Sequence, residues 1–406
     1  MFHHHSLSRA VAGLVFVLTA PLLSATTRYV WSGGNQTPPY TNWAMAARLP
    51  HLAANLSQDD DTVLITNGTY LITSSVNVTN AVTVRSVNGR DTVTLNANAG
   101  RRVVYMTHAG GIVDGLTMTN GYNGGGGGAG VYMTGGLVRN SRILKNNSPS
   151  GGGGIRMTGG VVSNCVVQAN RAPNTGDGGG IYVSGGSVVN CEIQANTSGT
   201  NAGFGGGVYM SGGALANCTV GENTASPRGG GLYITASVTV RNTLVHNNTT
   251  DADGGGVAVY NNSKPLLVGC TIASNHAVSL GGGIWYDQAS TRVGVTNSII
   301  WYNTAATGPD AYGAAGAMVA GWCCAPAPVV THGVNGNTTN TPRFVNPSMK
   351  NFRLMEGSPC VNTGTNIQGL LDQADLDGGP RVRFARTDIG AYELWYASKG
   401  SIFCLL

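Results

Sequence analysis

Residues 178–196 read GGGIYVSGGSVVNCEIQAN, and residues 205–223 read GGGVYMSGGALANCTVGEN. Both carry a Gly triplet, an alternating run, a Gly pair, a second alternating run and an Asn-Cys step. Aligned on that step, Ser141, Cys165, Cys191, Cys218, Asn242, Cys270 and Ser298 form one column, with gaps of 24, 26, 27, 24, 28 and 28. Two residues later the column is aliphatic: Ile143, Val167, Ile193, Val220, Leu244, Ile272 and Ile300. Five residues after the Cys column stand Asn146, Asn170, Asn196, Asn223, Asn247, Asn275 and Asn303. After each triplet comes another aliphatic column: Val131, Ile155, Ile181, Val208, Leu232, Val257 and Ile284.

Apolar residues alternate within each unit, as in GIYV and CEI, which is the pattern of short strands. Gly-Gly, Asn and Asp separate them and supply sharp turns. The unit has no room for a helix and no Leu scaffold, and it falls short of the roughly 40 residues of a propeller blade. What remains is an all-β parallel β-helix with about three strands per coil and about nine or ten coils. Coils stack at the strand spacing, about 4.8 Å. One coil buries too little apolar surface to offset the ordering of its chain, so the unit must recur. The Asn column is expected to point inward as a ladder of amides bonded above and below. The Cys column reads as stacked core thiols, because parallel side chains keep their Cβ atoms too far apart for bridges. Cys323, Cys324, Cys360 and Cys404 fall outside the column, and a disulfide is expected between Cys360 and Cys323 or Cys324.

The charged fraction is 10%, too low for a disordered polyelectrolyte, and the net charge is only +5. No Lys/Arg block points to nucleic acid. The start resembles a secretory signal: Arg9, an apolar run over 10–19, and small residues before a cut near Ala25. The boundaries follow as 1–25 signal peptide, 26–62 N-terminal cap, 63–305 β-helix, 306–340 Gly/Ala/Pro-rich loop region, 341–393 C-terminal cap and 394–406 tail. Within the first cap, residues 40–56 are expected to form a short helix kinked at Pro50. The mature chain is expected to be secreted or on the outer cell surface, to be monomeric and to carry no transmembrane span.

The C-terminal motifs Pro342–Pro347 (PRFVNP), Phe352-Arg353-Leu354, Gly357-Ser358-Pro359, Asp375–Arg381 (DLDGGPR) and Asp388–Glu393 (DIGAYE) resemble the choice-of-anchor Q domain of secreted bacterial right-handed parallel β-helix proteins. The segments YTNWAMAARL and DTVLITNGTYLI are similar to that family's N-terminal cap and first coil. The Gly-triplet/Asn coils are also similar to repeats of chlamydial polymorphic membrane proteins, without their Phe-x-x-Asn element. The resemblance implies a right-handed solenoid and an extracellular place, but no reaction.

The residue between the two inward positions after each triplet should point outward. That column is Tyr132, Arg156, Tyr182, Tyr209, Tyr233, Ala258 and Trp285. Such a column serves either as a track for sugar rings and cations or as a ladder that stabilises neighbouring strands. Glu222 and His246, equivalent in adjacent coils by this alignment, are the best acid/base candidates. Arg228 should pair with Asp253 one coil on. Asp375, Asp377 and Asp388 are candidates for a structural calcium, which binds through oxygen ligands; no other cofactor is indicated. Arginines gather towards the N-terminal coils and could face an acidic polysaccharide. The expected function is non-catalytic, adhesin-like binding of a polysaccharide or surface glycan. The alternatives are a carbohydrate-active enzyme, either polysaccharide lyase or glycoside hydrolase, and a structural surface spacer.

Overall fold

The structure, a computed structural model, describes residues 24–394 apart from 288–290, 372, 383 and 384. Most of the expected signal segment and the tail from 395, with Cys404, lie outside the described residues.

The chain winds as a right-handed parallel β-helix of about ten turns. Each coil runs from a strand of the glycine sheet, such as Ile181–Val183, through Gly-Gly to the long sheet, Ser187–Val189. An Asn turn then leads to the asparagine sheet, Glu192–Gln194. Among the described residues the three sheets hold ten, twelve and ten strands, and a five-stranded ribbon fills the last corner. Register is parallel and unbroken from coil to coil, as in Ile181↔Val208 and Val208↔Leu232. Inward positions alternate with outward ones, so the bore holds a continuous aliphatic core.

The Asn ladder forms as expected. Asn146, Asn170, Asn196, Asn223, Asn248, Asn275 and Asn303 are each at most 4% exposed. Each side-chain amide donates to the Oδ1 of the next coil's Asn, at 2.9–3.0 Å. Asp310 receives the last donation at 2.8 Å. One coil departs from the sequence alignment: the ladder member is Asn248, not Asn247, and the inward aliphatic is Val245, not Leu244. Thr243, not Asn242, stands in the Cys column, because Leu244 pairs with Thr271, one residue past Cys270. Asn242 instead takes the left-handed corner position (φ 45°) that Asn140, Asn164, Asn190 and Asn217 take in their own coils. Side-chain type does not separate two adjacent Asn residues; backbone conformation does.

The seven described cysteines are free thiols. Cys165, Cys191, Cys218 and Cys270 stack in the core, each Sγ on the carbonyl two residues before it. Cys323 continues this column, with Sγ on Gly321 O at 3.3 Å, whereas the sequence alignment places it outside. Cys324 faces the other way, into the cluster that holds Cys360, and its thiol donates to Asn340 O at 3.2 Å; the disulfide expected with Cys360 is not formed.

Both ends depart from expectation. The helix near the start covers only Pro50–Ala54, and Pro50 begins it rather than breaking it, since a first-turn Pro has no N–H to leave unpaired. Thr27–Val30, assigned to the cap, already pairs with Thr62–Ile65 in the long sheet. The region 306–340 is not all loop: Ala311–Gly313 and Met318–Gly321 add another coil. The described residues between 341 and 394 pack along the flank of the solenoid. Phe344, Phe352, Leu354, Cys360, Ile389 and Ala391 bury the outer face of the asparagine sheet at Leu244, Ala273, Ile299 and Cys324. Among the described residues no helix is long and apolar enough to cross a membrane.

Candidate functional site

The outward column after the Gly triplets assembles as predicted. Tyr132, Arg156, Tyr182, Tyr209, Tyr233, Ala258 and Trp285 are register neighbours, and Tyr105 and Tyr312 extend the row. Its rings lie on one another. Tyr105 and Tyr132 stack at 5.5 Å, Tyr182 and Tyr209 at 4.7 Å, and Tyr209 and Tyr233 at 5.5 Å. Tyr260 swings over the small Ala258 to bridge Tyr233 and Trp285. Guanidinium groups take further faces: Arg102 on Tyr132, Arg156 on Tyr182 and Arg228 on Trp285. Tyr233 and Trp285 are 3% and 7% exposed. The ring faces expected to receive sugars are therefore filled by neighbours one or two coils away, and the column acts as a cross-strand ladder. Arg228 also pairs with Asp253 at 2.9 Å, as its position implied.

Asp177 belongs to this face. Its Oδ1 accepts the Phe204 N–H at 3.0 Å, and burial raises its pKa to about 6 despite Arg156. Folding thus favours the protonated acid, and that contribution is lost as pH rises from about 4 through about 6. Thermal melts should show the wild-type midpoint falling more steeply over this window than that of Asp177→Asn, which keeps the acceptor, while Asp310, Asp388 and Glu393, also raised by burial, give both proteins a shared slope. Parallel pH curves would contradict the assignment.

The acid/base candidates are not brought together as a working pair. His246 is in register with Gly221, one position from Glu222. It lies beneath Phe352, bonds Asn247 Oδ1 at 2.8 Å, and has its pKa lowered by burial. Glu222 pairs with Lys350 of the C-terminal region. The acids considered for calcium hold loops instead. Asp375 accepts the amides of Asp377, Gly379 and Glu393, and Asp388 accepts those of Asn362 and Leu394. Asp377 pairs with Arg353. Among the described residues no three His, Cys, Asp or Glu side chains are placed to hold a metal ion.

A different site emerges at the corner between the long and asparagine sheets. Two open cavities of about 490 and 520 Å³ run along it and share Arg90 and Asn164. Together they extend from Arg85 to Asn217 and Thr219. The long-sheet strands beneath are five coil steps apart, about 24 Å at the strand spacing. The loop carrying Asn88 and Arg90 lines one end, and Ala374–Gly378 of the C-terminal region line the other. Arg90 reaches over the coils to donate to Asn164 O at 3.2 Å.

The floor of this groove is a second Asn ladder. Asn140 donates to Asp114, Asn164 to Asn140, and Asn242 to Asn217. The ladder is broken at Asn190, whose exposed amide has no partner among the described residues. That break lies in the larger cavity. Of the groove's carboxylates, Asp91 pairs with Arg142 and Asp114 with Arg139, Asp375 holds backbone amides, and Glu192 stands exposed. Sequence reasoning misses this site. The repeated Asn before the Cys column is its signal, but the wall at 374–378 is more than 130 residues from the Asn242 it touches.

A family model described as a right-handed beta helix region matches residues 204–323. No curated protein matches the chain. Among solved structures, the crystal structure of pectate lyase Pel9A is similar with a TM-score of 0.56, at 15% identity, over 91% of this chain and 97% of that one. At that identity the likeness is one of fold.

Proposed function

We propose that this β-helix binds an extended, polar polysaccharide in the corner groove, as an exported, non-catalytic glycan-binding module. The observation that carries this reading is the break in the corner ladder at Asn190, in the middle of a groove open along the solenoid axis. Unpaired amides there can exchange hydrogen bonds with sugar hydroxyls. The coil repeat of about 4.8 Å offers one such position per step, close to the length of a pyranose unit. Arg90, always charged and fork-shaped, favours chains bearing carboxylates or sulfates. The likeness to choice-of-anchor Q proteins supports an extracellular setting, and the pectate lyase neighbour supports a carbohydrate ligand.

The same neighbour favours a second reading, a polysaccharide-cleaving enzyme. Glycoside hydrolysis generally needs two carboxyl groups facing each other across the substrate. In the described groove only Glu192 is not tied to a partner, which is why binding is preferred.

The test is retention of the purified protein on a panel of neutral and acidic polysaccharides, with product analysis of the eluate. Wild type should be retained without product. Arg90→Ala should weaken retention by about tenfold or more, the value of one charge-assisted hydrogen bond. Asn190→Asp should weaken retention on acidic chains specifically. Tyr132→Ala, on the aromatic face, should not matter. Retention that survives Arg90→Ala but fails in Tyr132→Ala would move the site to the aromatic column, and chain cleavage would establish the enzyme.

A further inference from the structure

We propose that the C-terminal end of the solenoid is a binding site for a small organic ammonium cation, held between Asp310, Tyr286 and Tyr312. It is separate from the corner groove and does not depend on the function proposed there.

The bore of the last coil is under-filled. Along the glycine sheet the inward positions are large until the final step, where Ile284 is followed by Ala311 and Tyr286 by Gly313. Gly313 is required there: a Cβ would sit 2.2 Å from Cδ2 of Tyr286, so the ring occupies that space. Beside this strand, at the end of the solenoid, lies a cavity of about 500 Å³ whose lining includes Tyr286, Asp310, Tyr312, Met318 and residues 326–329. This is within the usual range of ligand pockets, about 300–1,000 Å³.

Asp310 is the one charged residue lining it among the described residues. Its Oδ1 ends the inner Asn ladder, accepting from Asn303 N at 3.2 Å and from Asn303 Nδ2 at 2.8 Å. Its Oδ2 accepts no hydrogen bond from the described residues. The residue is 8% exposed. Burial raises the carboxyl's pKa, as expected of an acid without a counter-charge. A lone carboxylate cannot complete a metal's ligand set, and no group of three His, Cys, Asp or Glu side chains in the described residues could do so. Aromatic rings, prolines and a thioether around one anion suit a cation with an apolar surface, which gains from the ring faces as well as the charge.

The experiment is calorimetric titration of the full chain with choline chloride, and in parallel with its neutral tert-butyl isostere. Wild type should bind choline saturably and ignore the isostere. Asp310→Asn keeps an acceptor for both Asn303 donors, so its melting temperature should stay near wild type while choline affinity falls at least tenfold. Tyr312→Ala removes a 39% exposed ring and should lower affinity severalfold without affecting folding. Absence of saturable binding, equal binding by Asp310→Asn, or equal affinity for the neutral isostere would overturn the proposal.

Discussion

Asn196→Ala is expected to cost about 3–5 kcal/mol of stability, summed from buried groups that lose their partners at about 1–3 kcal/mol each. Asn196 is fully buried and serves both neighbouring coils. Its Oδ1 accepts from Asn170 N at 2.9 Å and Asn170 Nδ2 at 3.0 Å. Its Nδ2 donates to Val167 O at 2.9 Å and Asn223 Oδ1 at 3.0 Å. Alanine strands two donors and leaves two acceptors short, within a chain of aligned amides that polarise one another. Asn190→Ala is the control, since that Asn lies exposed at the corner. Its left-handed backbone (φ 54°) should cost about 1–2 kcal/mol with Ala. Urea unfolding of the two variants decides the matter. Equal losses would mean that the ladder adds nothing beyond local turn geometry.

Gly206→Ala should be at least as damaging, about 3 kcal/mol or more, because overpacking here meets backbone that cannot give way. A Cβ on Gly206 would lie 2.4 Å from Thr224 O and 2.5 Å from Gly230 O. Both oxygens belong to the next coil, and Gly230 O already accepts the Gly207 N–H at 3.1 Å. Moving it away would unzip the ladder between coils. The constraint is therefore one of space, unlike that at Gly205, where the left-handed φ of 68° is itself the requirement. Gly125 gives the contrast, since a Cβ added there would meet nothing within 4 Å. Gly125→Ala should stay within about 0.5 kcal/mol of wild type. Soluble yield and melting temperature of both variants test the claim, and a well-folded Gly206→Ala with an unchanged melting temperature would refute it.

The Asn column and the Gly triplets are legible in the sequence because each recurs with its own copies as neighbours. The aromatic column is equally legible as a column, but its chemistry is not. Tyr182 and Tyr209 stand one coil apart, so their rings meet face to face and exclude the sugar that either could have stacked on alone. The slip at Asn242 to Asn248 has a similar origin: runs of like residues hide the register that backbone conformation and hydrogen bonds define. Glu222 escapes sequence reasoning for another reason, since its partner, Lys350, comes from a part of the chain outside the repeat.

From the amino-acid order alone come the coil, its period, its inward columns and the residues shown on each face, because a solenoid's contacts are between copies and copies can be aligned. Only the three-dimensional structure decides which of those residues remain available. Leu244 and His246 vanish under Phe352 and its neighbours, the corner groove gains a wall from the C-terminal region, and an open cavity remains at the solenoid's end beside Asp310. Each of these contacts is made once, between segments far apart in the chain, so no periodicity marks it in advance.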